Sequence, residues 1–188
     1  MITAIDFQIT DWVQTVFRSS FMDAVMPVIT VLGDNGYVWL GLSAVLMCFK
    51  QTRKTGFLIF GAIFIGALIC NLTLKPLVGR LRPCAVRPDL AILAACETGF
   101  SFPSGHTTAS FAAAVVLVLT RTRFAWAGVV LACLIAFSRV YMGFHFFTDI
   151  LGGIAAGATA AFIAVMISKR VKSLPPRLFP FWKHKSKP

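Results

Sequence analysis

Three side chains that could do chemistry lie close together in the segment Ser138–Asp149: Arg139, His145 and Asp149. His145 and Asp149 are four residues apart, so in a helix they share one face. A carboxylate in that position can hold one imidazole nitrogen and leave the other directed at a substrate. Because the chain has only seven acidic residues and three histidines, this pair indicates a reactive histidine.

A second segment, Lys75–Pro83, places two cations at one end of an apolar run. Lys75 and Arg82 are seven residues apart, which is two helical turns. Pro83 favours an end to the helix at Arg82. The two cations either extend to lipid headgroups or converge on an anion, whose oxygens arginine can bind in pairs.

A third segment, Ser101–Thr108, leads directly into another apolar run. Ser104 and Gly105 favour either a plain helix cap or an anion site made of free backbone N–H groups. His106 would lie at the mouth of a membrane helix, where ionisable groups are rare and usually functional. The three segments together therefore indicate one site for an anion.

The elements that must position these residues are strongly apolar. Of the 188 residues, 57% are hydrophobic and 13% are charged, a composition typical of membrane proteins. Five uncharged runs predict membrane-spanning helices, namely Gly36–Phe49, Gly56–Leu74, Thr107–Thr120, Phe124–Ser138 and Ile150–Ser168. The predicted fold is all-α, a polytopic membrane helix bundle of five or six spans.

The N-terminal residues 1–33, which would contain the sixth span, are amphipathic. They predict either a helix at the membrane interface or a short crossing. Residues Gly33–Gly36 break the chain before the next span. We therefore divide the chain into this N-terminal segment, a membrane catalytic domain over 34–172 and a basic tail over 173–188.

The net charge of +11 follows the membrane topology and does not indicate nucleic-acid binding. The basic clusters are Lys50, Arg53 and Lys54; Arg121 and Arg123; and seven residues from Lys169 to Lys187. If five spans alternate, all three clusters lie on one side, as the positive-inside rule expects for the cytoplasm. The C-terminus is then cytoplasmic, and the three chemical segments face the opposite side.

The loop between the second and third segments contains Cys84 and Cys96. If this loop faces an oxidising exterior, the two cysteines could form a disulfide beside the anion site. The aromatic residues around His145, namely Phe144, Phe146 and Phe147, are interpreted as interface anchors or as the lining of a lipid groove.

Taken together, the three segments resemble the three-part signature of the PAP2 (type 2 phosphatidic acid phosphatase) superfamily. The matching residues are Lys75-x6-Arg82-Pro83, Pro103-Ser104-Gly105-His106 and Ser138-Arg139-x5-His145-x3-Asp149. The parts occur in the family's order, and the resemblance covers roughly Gly56 to Ser168. It implies a PAP2/haloperoxidase-like helical core, and the chain length is similar to that of small bacterial members.

The resemblance also implies a role for each residue. His145 would be the nucleophile that forms a phosphohistidine, and Asp149 would fix its tautomer and stabilise the positive charge that develops on it. His106 would act as general acid and then as general base. The residues expected to bind the substrate phosphate are Lys75, Arg82, Ser104, Gly105 and Arg139. No metal and no other cofactor is expected.

The function that the resemblance implies is hydrolysis of a lipid phosphate or pyrophosphate at the outer leaflet of a bacterial cytoplasmic membrane. Undecaprenyl pyrophosphate is the first candidate substrate, and phosphatidylglycerol phosphate and phosphatidic acid are alternatives. A non-catalytic lipid-phosphate binder and a vanadate-dependent haloperoxidase are further alternatives. The expected partners are the lipid substrate and the bilayer, with no nucleic acid.

Overall fold

The computed structural model of the chain describes residues 2–87, 89, 90 and 92–173, and every regular element among them is a helix. The helices are α1 (Ile2–Phe17), α2 (Ser20–Leu32), α3 (Tyr37–Cys48), α4 (Arg53–Ala67), α5 (Lys75–Val78), α6 (Pro83–Val86), α7 (Gly105–Leu119), α8 (Ala125–Tyr141) and α9 (Phe147–Ser173). A 3-10 turn covers Asp34–Gly36, and a π-helical segment covers Leu68–Leu74. The all-α prediction is confirmed, and the predicted basic tail lies outside the described residues from position 174.

Helix α7 is the centre of the bundle and packs against α4, α8 and α9. Its middle is made of small residues, and Ala112, Ala113 and Ala114 are all buried. Small side chains let neighbouring helix backbones approach closely, which is how membrane helices commonly associate. Ile59 of α4 and Ile135 of α8 belong to the same buried apolar cluster as these alanines.

The contact between α7 and α9 depends on two glycines of α9. A Cβ on Gly157 would lie 2.5 Å from the Thr108 carbonyl oxygen, and a Cβ on Gly153 would lie 2.9 Å from that of Ser104. The close approach lets the Ser104 N–H donate to the Asp149 carbonyl oxygen at 3.1 Å. The small-residue face of the last helix thus joins the segment of His106 to the segment of His145.

Two apolar segments of the described chain have the length and composition of a complete membrane crossing. They are Arg53–Val86 and Phe147–Arg170, and the pair α2 and α3, bent by 45°, would make a third. The remaining predicted spans correspond to α7 and α8, which are apolar but shorter. At about 1.5 Å per residue α7 covers about 22 Å, less than the roughly 30 Å of a hydrocarbon core.

The π-helical segment Leu68–Leu74 lies between α4 and Lys75. A π turn inserts an extra residue into the helix, so side chains beyond it are rotated relative to the α-helical register. Cys70 and Asn71 of this segment line the central cavity, as does Lys75. The helix ends soon afterwards, at Gly79, whose φ of +62° suits glycine.

Helix α1 is attached to the bundle through a polar face. Asp6 and Thr10 are fully buried, whereas Trp12 on another side of the helix is 57% exposed. The Phe7 ring meets the Phe146 ring edge to face, with centroids 5.0 Å apart. The helix therefore packs its acidic side against the segment that contains His145.

Candidate active site

A cavity of about 380 Å³ opens where the three chemical segments meet. Five of the eight residues predicted to form the site line it: Lys75, Arg82, Gly105, His106 and His145. The other three, Ser104, Arg139 and Asp149, are fully buried. The fold thus brings the three segments together and separates a cavity wall from a supporting layer.

The side chain of His145 is buried, and its two nitrogens have different neighbours. Nε2 lies 3.2 Å from Nη1 of Arg82. Because a guanidinium can only donate hydrogen bonds, Nε2 must be the acceptor and the ring proton must reside on Nδ1. Nδ1 lies 3.5 Å from Oδ2 of Asp149 and has no hydrogen-bond partner among the described residues. This tautomer leaves the lone pair on the nitrogen that is nearer to Arg82.

The surroundings of His145 keep its imidazole neutral. Burial lowers the pKa of His145 well below its ordinary value, and the positive charges of Arg139 and Arg82 lower it further. A neutral imidazole retains the lone pair that a nucleophile needs.

The carboxylate of Asp149 is held from two sides. Oδ2 accepts a hydrogen bond from the Phe146 N–H at 2.9 Å, and Oδ1 accepts one from Nη1 of Arg80 at 2.8 Å. The Arg80 guanidinium also stacks on the Phe146 ring, 3.9 Å from its centroid. Arg80 lies inside the motif Lys75-x6-Arg82-Pro83, at a position that the motif does not specify.

Asp6 of α1 completes this network from a distant part of the chain. Its Oδ2 accepts hydrogen bonds from Nη2 of Arg80 and Oγ1 of Thr148, each at 2.6 Å. Its Oδ1 accepts a bond from the Thr148 N–H at 3.0 Å. The only sequence signal for Asp6 was the presence of a carboxylate in a largely apolar helix.

Glu97 forms ion pairs with the two arginines that were predicted to bind phosphate. Its Oε2 lies 2.9 Å from Nη1 of Arg82, and its Oε1 accepts a short hydrogen bond from Nη2 of Arg139. Burial alone would raise the pKa of Glu97, but Arg139 and Arg82 outweigh it and lower this pKa to about 2. An ionised carboxylate therefore lies where an anionic ligand would bind.

Arg139 is fully buried and makes contacts to three parts of the chain. Its Nη1 donates to Oγ1 of Thr30 at 2.8 Å, and its guanidinium lies 4.7 Å from the Phe144 ring centroid. Phe144 and Phe146 are 3% and 1% exposed, so the interpretation of these two rings as interface anchors is wrong. They are packed under guanidinium groups, because a buried cation is stabilised by an aromatic face.

The start of α7 combines a helix cap with a nearby cation. Oγ of Ser104 accepts hydrogen bonds from the Thr107 N–H at 3.4 Å and from Oγ1 of Thr107 at 3.0 Å. The Ser104 hydroxyl is therefore engaged inside the helix cap and lies off the cavity wall. Gly105 faces the cavity, and a Cβ there would lie 4.0 Å from Nζ of Lys75. Lys75 and the backbone N–H groups at the start of α7 thus present positive charge to the cavity.

The loop before α7 is closed by a disulfide between Cys84 and Cys96. The Cys84 N–H also donates to the Gly143 carbonyl oxygen at 3.2 Å, which joins the loop to the turn before His145. Since Cys96 directly precedes Glu97, the disulfide restrains the carboxylate that binds the two arginines.

The arrangement can perform nucleophilic displacement at a tetrahedral anion. A neutral histidine supplies the lone pair, Lys75 and Arg82 supply positive charge on the cavity wall, and a second histidine, His106, lies on the same wall. Charge stabilisation by fixed donors in a buried site is commonly a large contribution to catalysis.

Known proteins are similar to this chain in sequence and in fold. The PAP2 superfamily model matches residues 56–172. The undecaprenyl-diphosphatase of Sulfolobus acidocaldarius is 34% identical over 132 residues, which cover 70% of this chain and 64% of that protein. The phosphatidylglycerophosphatase B of Bacillus subtilis is 32% identical over 170 residues, 82% of this chain and 79% of that protein.

A solved structure of a PAP2-type protein is also similar to this chain in fold. The crystal structure of a transmembrane PAP2-type phosphatidylglycerolphosphate phosphatase from Bacillus subtilis has a TM-score of 0.74 and 26% identity. The alignment covers 93% of this chain and 89% of that one. With its apolar helices, the chain is a multi-pass membrane protein.

Proposed function

Because the chain belongs to the PAP2 superfamily, we propose that it is a membrane phosphatase that hydrolyses a lipid phosphate or pyrophosphate through a phosphohistidine. The observation that carries this proposal is the convergence of His145, His106, Lys75 and Arg82 on one cavity. Binding alone would need the cations, whereas an imidazole with its lone pair beside Arg82 is suited to attack. A non-catalytic lipid-phosphate binder is therefore the weaker candidate.

In the proposed first step, the Nε2 lone pair of His145 attacks phosphorus. An N–P bond forms, and the P–O bond to the leaving group breaks. Protonated His106 gives its proton to the leaving oxygen. Asp149 stabilises the positive charge that develops on the imidazole, from 3.5 Å away at Nδ1.

In the proposed second step, His106 is neutral and takes a proton from water. The water oxygen attacks phosphorus, the N–P bond breaks, and its electron pair returns to Nε2 of His145. The products are inorganic phosphate and the regenerated site. His106 is again protonated, so the two steps close the cycle.

The proposed phosphate ligands are Lys75, Arg82, Arg139 and the backbone N–H groups at the start of α7, near Gly105. A phosphate that binds Arg82 and Arg139 must displace Glu97, which now holds both. The dianionic phosphoryl group carries more charge than one carboxylate, so the exchange favours the substrate.

The proposed substrate is undecaprenyl pyrophosphate. The similarity to the undecaprenyl-diphosphatase of Sulfolobus acidocaldarius supports this choice. Phosphatidylglycerol phosphate is the second candidate, supported by the relative from Bacillus subtilis, and phosphatidic acid is a third. The chain spans 64% of the length of the first relative.

The proposed location is the cytoplasmic membrane of a bacterium, with the active site open to the extracytoplasmic side. The basic clusters at Lys50–Lys54 and Arg121–Arg123 support this orientation, because the positive-inside rule places them in the cytoplasm. The C-terminus would then be cytoplasmic as well.

The test is phosphate release by the purified protein in detergent, with EDTA present, from the three lipids. We expect release from at least one of them, abolished by His145→Ala and inhibited competitively by vanadate. Asp89→Asn, at a side chain that is 70% exposed, is the matched control and should retain activity. Release from none of the lipids, or full activity of the His145→Ala protein, would overturn the proposal.

A further inference from the structure

The second histidine of the cavity has a carboxylate partner that the three motifs do not contain. Oδ1 of Asp34 lies 2.7 Å from Nε2 of His106, although the two residues are 72 positions apart. Asp34 belongs to the 3-10 turn between α2 and α3. The site thus has two carboxylate–imidazole pairs, one for each histidine.

The turn that carries Asp34 is shaped around the His106 ring. A Cβ on Gly33 would lie 2.8 Å from Cδ2 of His106, so only glycine lets the backbone pass this close to the imidazole. Asn35 and Gly36 take φ values of 48° and 70°, in the left-handed region. Such conformations cost free energy and persist where the surrounding structure requires them.

The charges around His106 oppose one another. Burial and the positive charge of Arg139 lower the pKa of His106, whereas the hydrogen bond to Asp34 and the negative charges of Glu97 and Asp34 oppose this lowering. Lys75 and Arg82 line the same cavity. If substrate phosphate displaces Glu97, Asp34 is the carboxylate that stays in contact with the ring. A general acid must be protonated before it can act, so its remaining counter-charge matters for the reaction.

We propose that Asp34 is the positioning residue of His106, and this inference rests on the proposed function. The carboxylate accepts the Nε2–H of His106 and fixes the ring, which leaves Nδ1 as the nitrogen that exchanges a proton with the leaving group and then with water. Asp34 holds the imidazolium before the first step and the Nε2–H tautomer after it. The Gly33–Gly36 turn is thus part of the active site as well as a connection between helices.

The alternative is that Asp34 only anchors the turn, and leaving-group chemistry separates the two roles. An alkyl alkoxide needs a proton as it departs, whereas 4-nitrophenolate leaves without one. Loss of general-acid function therefore slows hydrolysis of alkyl esters selectively. A loosened fold would slow both substrates equally.

The experiment compares Asp34→Asn with the unmodified protein, using kcat/KM for dodecyl phosphate and for 4-nitrophenyl phosphate. We expect a loss of roughly 100-fold on dodecyl phosphate and less than about threefold on 4-nitrophenyl phosphate. Asp34→Glu should restore part of the dodecyl phosphate activity. In a His106→Ala background, Asp34→Asn should add no further loss, because it acts through that ring.

A second readout is the pH dependence of kcat/KM on the alkyl substrate. Removing the negative charge destabilises the imidazolium, so the alkaline limb of the profile should move to lower pH in Asp34→Asn. The matched control is Asp23→Asn in α2. The Asp23 carboxylate accepts a hydrogen bond of 2.6 Å from the Tyr141 hydroxyl, and neither residue lines the cavity. This variant should change neither the ratio of the two substrates nor the pH profile.

The outcomes separate the two proposals. Equal losses on both substrates with an unmoved pH profile would show that Asp34 only anchors the turn, and would leave the phosphatase proposal standing. No hydrolysis of any phosphate ester by the unmodified protein would overturn the proposed function itself.

Discussion

At the scale of single residues, few carboxylates are available to balance the cations and histidines of the cavity, because the chain has only seven acidic residues. Three of them, Asp149, Asp34 and Glu97, contact His145, His106 and the arginine pair respectively. The side chain of Asp149 is fully buried, whereas those of Asp34 and Glu97 are 43% and 34% exposed, so an unpaired charge would be most costly at Asp149. Among these, Glu97 alone contacts groups that we propose as phosphate ligands.

Glu97→Gln should tighten the binding of inorganic phosphate. The change removes the negative charge that competes for Arg82 and Arg139, so the inhibition constant of phosphate should fall by roughly tenfold. The measurement is competitive inhibition of lipid hydrolysis by phosphate. A higher inhibition constant would mean that Glu97 assists phosphate binding instead of competing with it.

The same variant carries a prediction about pH. Because the pKa of Glu97 is lowered to about 2, its carboxylate stays ionised throughout the neutral and mildly acidic range. Its folded-state pKa is below the ordinary value, so its contribution to stability is present above that value and is lost only as pH falls towards about 2. The effect of Glu97→Gln should therefore be constant between about pH 6 and pH 8.

At the scale of elements, α1 reaches the site through Asp6, Arg80 and Asp149. The two carboxylates share the Arg80 guanidinium at 2.6 and 2.8 Å. Asp6 also binds Thr148, which lies three residues after His145. The N-terminal helix therefore contributes to the position of the proposed nucleophile.

Asp6→Asn should lower kcat by roughly 10- to 100-fold, because small displacements of reacting groups are costly. The substrate KM should change little, since Asp6 is remote from the cavity wall. The matched control is Asp11→Asn on the same helix, whose ion pair with Arg87 is half exposed and worth little. Equal kinetics for the Asp6 and Asp11 variants would contradict this role for α1.

The loop between α6 and α7 gives a prediction about redox state. The Cys84–Cys96 disulfide closes a loop of sequence separation 12, for which the chain-entropy relation gives about 3 kcal/mol of stabilisation. Intact mass and alkylation of protein from native membranes should show both thiols blocked, and reduction should lower the melting temperature. Free alkylation of both cysteines before reduction would contradict the prediction.

At the scale of the whole molecule, every acidic residue of the chain is paired with a basic side chain. The pairs involve Asp6, Asp11, Asp23, Asp34, Asp89, Glu97 and Asp149. The unbalanced positive charge lies mainly in residues 50–54, 121–123 and 169–187. The paired acidic residues thus lie towards the end of the bundle that holds the cavity, and the excess cations lie towards the other end.

This asymmetry predicts the orientation in the membrane. A protease-cleavable tag at the C-terminus should be protected in intact cells, because the positive-inside rule retains that end in the cytoplasm. A reporter inserted at the exposed Asp89 should be accessible from outside. The opposite pattern of accessibility would contradict the proposed orientation of the active site.

Much of this protein can be predicted from local sequence. Helical structure follows from uncharged apolar runs, and the three motifs contain five of the residues that line the cavity. Local spacing also predicts that His145 and Asp149 are neighbours, since four residues make about one helical turn.

The partners from distant segments were decided only by the tertiary structure. Asp6, Asp34, Arg80 and Glu97 follow no fixed spacing to the residues they contact, and their contacts depend on how α1, α2 and the disulfide-closed loop pack on the bundle. The π-helical segment before Lys75 depends on packing in the same way. The sequence by itself therefore determined which groups could react, because it fixes the type of each side chain and the spacing between side chains that are close along the chain. Only the tertiary structure decided which groups hold them, because ion pairs in an apolar bundle form between whichever charges the helices bring together.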